Sequence, residues 1–238
     1  MKIAIMQPYL LPYLGYFALI RASDRFVSFD TAQYIRHGWV NRNRVLHPTS
    51  GWQYIGAPVA KHHRHDTIRD IVVADGGEWK GRLLRQLGHY QKVAPHFDAV
   101  MTLLEVALDA RLQRLSEINL NALTAVCGYL GLRFDASTWS EAGIEISDVV
   151  HPGGWAPAIA HGLGAREYIN PAGGQALFRP EDFSQRGLTL SLLRMSEVSY
   201  DQRRSPFEPG LSIVDVMMFN SPTEALRLMD QHELVAVH

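Results

Sequence analysis

A single cysteine in 238 residues rules out an internal disulfide, and the chain also lacks a long apolar run, an excess of either charge and any internal repeat. Each shortage removes a class of protein. Without paired thiols the fold rests on its core rather than on cross-links, and no stretch reaches the roughly 18 apolar residues of a bilayer span. The 23 Lys and Arg stand against 24 Asp and Glu, a net charge of -1, so no global field attracts nucleic acid or anionic lipid. Binding to either has to be local, and no nucleic-acid partner is expected beyond a nucleotide or an aminoacyl donor. Lys2 leads into the strand-like Ile3-Ala4-Ile5-Met6 rather than into the apolar core of an export signal. A cytoplasmic location without membrane insertion is expected.

Catalytic signatures are sparse as well. There is no Gly-x-Ser-x-Gly elbow, no His-Glu-x-x-His pair and no Gly-Lys-Ser/Thr ending of a phosphate loop, and Gly162-Leu163-Gly164 lacks the third glycine of a dinucleotide fingerprint. His62, His63 and His65 share a turn with Lys61 and Arg64 and read as solvated rather than as metal ligands. No metal site is expected, and the cofactor is left open. Cys127 lies among the periodic apolar residues Leu123, Val126, Tyr129 and Leu130, which reads as a buried structural thiol.

What is present is an ordinary globular balance, 47% hydrophobic and 20% charged, long enough for one domain over 1–238. Apolar segments at 2–6 and 25–30 enclose a helical pattern at 12–22, which predicts a parallel βαβ start. Further strands are expected at 52–60 and 68–74. Helical spacing follows at 79–92, 97–110 and 116–130, the last stopping at Gly131. Strand-like stretches return at 144–146, 167–169 and 188–193, and closing helices are expected at 212–219 and 222–230. The expected fold is therefore α/β: a parallel, Rossmann-like or HUP-like sheet formed by 1–76 and 140–220, with the helical segment 78–131 as an insertion or flank.

Three segments follow strands, where an open parallel sheet presents its ligand crevice. The first is Gln7-Pro8-Tyr9-Leu10-Leu11-Pro12-Tyr13-Leu14-Gly15-Tyr16, stiffened by two prolines and carrying Gln7, Tyr9 and Tyr16 as polar and aromatic groups. The second runs over 30–44 and holds Asp30, Gln33, Tyr34, Trp39, Asn41, Arg42 and Asn43. Arginines there can fork onto phosphate or carboxylate, and Tyr34 or Trp39 can stack on a base or sugar. The third, Tyr168-Ile169-Asn170-Pro171-Ala172-Gly173-Gly174, offers Asn170 and an adjacent glycine pair as a backbone nest. Each segment also has a bland reading as a packed turn or a solvated loop. Near the end, Ser212 reads as a helix cap with Asp215 at the third helical position, and Asp215 is kept among the ligand-binding candidates.

Taken together and in this order, these segments resemble the WbqC-like protein family, with the match running from Met1 to about Met229. The resemblance is carried by Lys2-Ile3-Ala4-Ile5-Met6-Gln7-Pro8-Tyr9, by Pro12-Tyr13-Leu14-Gly15-Tyr16-Phe17, and by Asp30 with Gln33-Tyr34 and Gly38-Trp39 through Asn41-Arg42-Asn43. Tyr168-Ile169-Asn170-Pro171 with Gly173-Gly174, Phe207 with Pro209, and Leu211-Ser212-Ile213-Val214-Asp215 onward complete it. The resemblance implies an α/β fold and a place in O-antigen or related biosynthetic gene clusters. One departure is the apolar run at 155–160, where relatives tend to carry an arginine.

The leading functional expectation is a transferase that moves an acyl or aminoacyl group from a small or carrier-bound donor onto the amine of a sugar or similar acceptor. In it Asp30 and Gln7 are the catalytic candidates, with Asp30 as general base. An ATP-using ligase or nucleotidyltransferase and a non-catalytic ligand-binding subunit are the alternatives. The path through Tyr13 and Tyr16 is similar to nucleotidyltransferase loops with tyrosines in place of both histidines. Gln7, Asp30 and Asn170 are expected on one sheet edge around one pocket, with Asn41 or Arg42 folded over it.

Overall fold

Apolar segments from both ends of the chain meet in one sheet, and the helices between them cover its two faces. The computed structural model describes residues 1–74, 78–147 and 149–237. In chain order the elements are β1 (Lys2–Met6), α1 (Leu14–Ala22), β2 (Arg25–Ser28), β3 (Arg42–Leu46), β4 (Trp52–Gly56), α2 (Glu78–Leu87), α3 (Phe97–Ala107) and α4 (Leu115–Leu130). Then come β5 (Ala136–Thr138), α5 (Trp155–Gly162), β6 (Glu167–Pro171), α6 (Pro180–Ser184), β7 (Thr189–Met195), α7 (Ile213–Phe219), α8 (Pro222–Met229) and β8 (His232–Val237). The main sheet runs β5-β2-β1-β6-β7-β8, all parallel except β8. This is the expected α/β architecture.

Alternation along the strands divides the core. Ala4, Phe26, Ile169 and Leu193 face a large core with α1, α2, α3, α4, α7 and α8, while Ile3, Ile5, Val27, Tyr168, Leu190 and Leu192 face a smaller one with α5 and α6. The helical segment joins the larger core, so it is a flank of the sheet. Helix α1 is apolar all round, and every residue from Leu14 to Ile20 is buried. Its last turn is tied to the end of α8 by Arg21, which forks onto Asp230 at 2.7 and 3.0 Å.

Several expected strands differ. The 68–74 segment holds a short 3₁₀ turn at Ile68–Asp70 and only isolated bridges, Val59 to Val73 and Val72 to Arg114. The boundary expected after residue 76 falls among residues 75–77, outside the described ones. The 52–60 segment pairs only as far as Gly56, and its partner is β3 in a separate antiparallel ribbon rather than the main sheet. The 30–44 segment is therefore not all loop, because Arg42, Asn43 and Arg44 open β3. Ile144 and Ile146 form no strand; they pack on the smaller core, a use of alternation that pattern alone does not separate from pairing. The edge strands β5 and β8 went unrecognised because edge pairing is backbone chemistry and leaves little side-chain signal. Among the described residues no helix is long and apolar enough to cross a membrane.

The link between β1 and α1 is unusual in being buried: Pro8, Leu10, Leu11 and Pro12 are all shielded. A buried loop needs partners for its backbone, and distant parts of the chain supply them. Tyr16 Oη donates to the Gln7 carbonyl at 2.8 Å, Asn119 Nδ2 to Pro8 at 2.8 Å, Asn43 Nδ2 to Leu10 at 3.1 Å and Ser212 Oγ to Leu11 at 2.6 Å. The Ile213 amide bonds the Pro12 carbonyl, and the Leu10 amide donates to Trp39. Asn119 also donates to the Val40 carbonyl at 2.7 Å, so one side chain on α4 clasps two loops. Replacing Asn119 by Ala strands two buried carbonyls, and the free energy of urea unfolding should fall by about 2–3 kcal/mol. An unchanged midpoint would show that the loop holds itself.

Candidate functional site

Strands β1, β2 and β5 progress in one direction across the sheet and β6, β7 and β8 in the other, so the strand order reverses between β1 and β6. Loops leaving such a point diverge and open a crevice at the carboxyl ends of the strands. Here that crevice is a cavity of about 900 Å³. Gln7 and Tyr9 enter it from beyond β1, Phe29 and Gln33 from beyond β2, Trp39 from the loop before β3, and Asn170, Gly173 and Gly174 from β6 and the turn after it. Its wall is completed by Tyr13, Phe178, Trp155 and His151. The lining is thus mostly rings and aliphatic groups with a few convergent polar atoms, the make-up of a small-molecule site.

Asn170 is held rigidly. Its Oδ1 accepts from Tyr168 Oη at 2.8 Å, and its Nδ2 donates to the Pro171 carbonyl at 2.7 Å. A Cβ on Gly174 would lie 2.4 Å from that Nδ2, so the glycine is what lets the 172–177 turn close over Asn170. Gln33 donates to the Arg64 carbonyl at 2.7 Å. Burial raises the Tyr9 and Tyr13 phenols above their usual pKa, keeping both neutral donors over a wide pH range.

His151 is the feature that the sequence reading missed. Its Nε2 lies 2.8 Å from Asp182 Oδ2, with both side chains partly covered, 18% and 23% exposed. A carboxylate on Nε2 stabilises the tautomer with its proton there and leaves Nδ1 as the lone-pair nitrogen. Position 153 follows two residues on, and a Cβ there would meet the Leu177 carbonyl oxygen at 2.0 Å. The signal in the sequence was therefore the run His151-Pro152-Gly153-Gly154, whose glycines let the histidine loop pack tightly against the turn after β6.

The remaining candidates lie elsewhere. Gln7 and Asn170 share the cavity, but Asp30 does not join them, so the expected convergence of all three on one pocket fails. It is buried at a neighbouring cleft of about 610 Å³ between the ends of β2 and β5, where Ser140 donates its amide at 3.0 Å and its hydroxyl at 2.6 Å to the two carboxylate oxygens. The unrecognised strand β5 is the reason, because it brings Ser140 alongside β2. Tyr16 and Asn43 serve the buried loop. Asn41 accepts from Tyr34 Oη at 3.0 Å and donates to the Ala57 carbonyl at 3.1 Å, which also employs Tyr34. Arg42 lies on β3 with its guanidinium over Tyr54, so neither Asn41 nor Arg42 folds over the cavity.

Sequence comparison gives this placement its context. The profile of the WbqC-like protein family matches residues 7–227. The chain belongs to that family. It is also similar to an uncharacterized protein of Mycobacterium tuberculosis, Rv1507c, at 30% identity over 231 residues, covering 94% of this chain and 95% of that one. No solved structure matches. In this WbqC-like protein the recognised motifs thus divide into two jobs: Gln7, Tyr9, Asn170 and the glycine pair line the cavity, whereas Tyr16, Asn43 and Ser212 hold up the loop that forms its floor.

Asp215 belongs to neither group. Ser212 does cap α7, accepting from the Val214 amide at 3.2 Å, but Asp215 turns into the core instead of back to the cap. There it accepts from Tyr90 Oη, Tyr200 Oη and Gln202 Nε2, joining α7 to the segment after α2 and to the 200–208 loop. Tyr90 in turn accepts from the Leu46 amide, which extends the network to β3. Burial raises the Asp215 carboxyl above its ordinary 3.8, and the three donors offset part of that rise. The folded state then holds this proton more tightly than the unfolded chain does. Stability contributed by the residue should fall as pH rises from 3.8 through the raised value. Calorimetric unfolding of the wild type against Asp215→Asn across that window checks this; parallel curves would refute the raised value.

Proposed function

We propose that this WbqC-like protein transfers an acyl or aminoacyl group from an activated donor to the amine of a small acceptor of the amino-sugar kind. The observation that carries this reading is His151, paired with Asp182, in the wall of a ring-lined cavity at the reversal of strand order. An amine attacking an activated carbonyl carbon becomes positively charged and must shed a proton before the tetrahedral adduct can expel its leaving group. His151 Nδ1 accepts that proton and returns it to the departing thiol or alcohol, while Asp182 stabilises the imidazolium in between. Gln7 and Asn170 offer amide groups to the polar edge of the acceptor, and Trp39, Phe29 and Trp155 present faces on which a pyranose can stack.

Direct transfer suits the groups present better than a covalent enzyme intermediate. Cys127 is buried on α4 with its thiol pushed up to about 12, away from the cavity lining. Nucleotidyl transfer in the manner of the loops with two histidines is disfavoured, since Tyr16 is fully buried and its hydroxyl is committed to the Gln7 carbonyl. An acceptor in cell-surface polysaccharide or specialised-metabolite synthesis agrees with the gene context that the family resemblance implies.

The test is incubation of the purified protein with acyl-thioester and aminoacyl donors and a panel of amino sugars, with product identified by its mass increment. His151→Gln should lower kcat by about 100-fold or more with KM little changed, and Asp182→Asn should lower it less. A His151→Gln variant that turns over at the wild-type rate would remove the histidine from the mechanism. If no donor is consumed, the binding-subunit alternative takes its place.

A further inference from the structure

The β3–β4 ribbon carries on its outer face a ladder of rings and guanidiniums for which neither the core nor the transfer chemistry has a use. Side chains alternate across a strand, so Asn43, Val45 and Ile55 turn inward, leaving Arg42, Arg44, Trp52 and Tyr54 together outside. The Arg42 guanidinium lies 4.0 Å from the Tyr54 ring centre, and that of Arg44 sits between Trp52 at 5.1 Å and Trp39 at 5.4 Å. Trp52 and Tyr54 meet edge to face at 5.0 Å. All three rings remain accessible, at 36% for Trp39, 41% for Trp52 and 38% for Tyr54.

The two arginines are partly buried, less exposed than the rings they touch, and their charges are unpaired. Among the described residues neither Arg42 nor Arg44 has a carboxylate within ion-pair distance; their terminal nitrogens reach only the carbonyls of His37 and Gly210. The Nε of each is buried without any hydrogen-bond partner. Two unneutralised guanidiniums, held in place by stacking, form an anion receptor flanked by free ring surface. A neutral sugar would use the rings and leave the cations idle, and a bare phosphate would do the reverse. A ligand with both a phosphate and a planar heterocycle uses both kinds of group.

We propose that this face binds a nucleoside 5′-phosphate, the nucleotide part of a nucleotide-linked acyl or aminoacyl donor. The phosphate is forked by Arg42 and Arg44, and the base stacks on Trp52. Trp39 lines the cavity as well, so a donor seated on the ribbon has its far end directed toward His151. The role as donor site rests on the transfer reading, but occupancy of the face does not, and equilibrium binding without any acceptor separates the two.

The experiment is isothermal calorimetry of AMP, adenosine and inorganic phosphate against the full-length protein, with acrylamide quenching of tryptophan fluorescence alongside. AMP should bind at least tenfold more tightly than adenosine or phosphate, shield tryptophan from acrylamide, and weaken as salt is raised. Arg44→Gln and Trp52→Ala should each weaken AMP by about tenfold while retaining the wild-type circular dichroism spectrum. If Trp52→Ala unfolds, Arg44→Gln and the shielding of the unmodified protein decide the matter. Equal binding of AMP and phosphate, or unchanged affinity in Arg44→Gln, overturns the proposal. So does affinity that climbs with the length of an oligoadenylate, which would make the face one for single-stranded nucleic acid.

Discussion

The buried loop between β1 and α1 is the constraint on which the rest of this structure depends. A loop normally lies at the surface because water completes its hydrogen bonds. This one lies under α4, α7 and the β3–β4 ribbon, and its carbonyls are completed instead by Tyr16, Asn119, Asn43, Ser212 and the Ile213 amide. The donors come from four stretches of chain, with Ser212 and Ile213 together at the start of α7. Closing that set of bonds therefore requires the ribbon, the helical flank and the closing helices to be in place together, and removing any donor leaves a buried acceptor empty.

The cavity is a consequence of the same arrangement. With the loop anchored below, Gln7 and Tyr9 are presented at the carboxyl end of β1, beside β6, where the strand order reverses. The opposite wall is built by a second tight approach, the 151–154 segment against the turn after β6, made possible by Gly153, while Gly174 lets that turn close over Asn170. Rigid walls on both sides put the polar side chains of the site on supported elements, which is what positioning for chemistry demands. The Asp215 network does for the rear of the molecule what the loop clasps do for the front: a fully buried carboxylate shared by Tyr90, Tyr200 and Gln202 sets α7 against the segment after α2 and the 200–208 loop.

The division between lining and support was the hardest thing to read from residue types. Asn43 and Asn170 are the same residue, each inside a recognised motif, yet Asn43 spends its amide on the Leu10 carbonyl and Asn170 borders the cavity. Asp30 and Asp182 show the same ambiguity. The first follows a strand at the right sheet edge but is taken by Ser140, while the second sits on the short helix α6 and meets His151 across 31 positions. Nothing in local pattern distinguishes these cases, because a hydrogen-bonding group declares its partner only when the backbone has brought one within about 3 Å.

Sequence by itself determined the α/β class, the parallel start, the three flanking helices and the family. Those features follow from hydrophobic period, capping residues and a set of motifs, all of them short-range properties that act on a chain segment wherever it lies. Tertiary structure alone decided the separate ribbon of β3 and β4, the edge strands β5 and β8, the diversion of Asp30, the burial of Asp215 and the pairing of His151 with Asp182. Each of these depends on backbone pairing or on one side chain meeting another distant in sequence. Such contacts form only where folding closes the intervening loop, and no residue type encodes that distance.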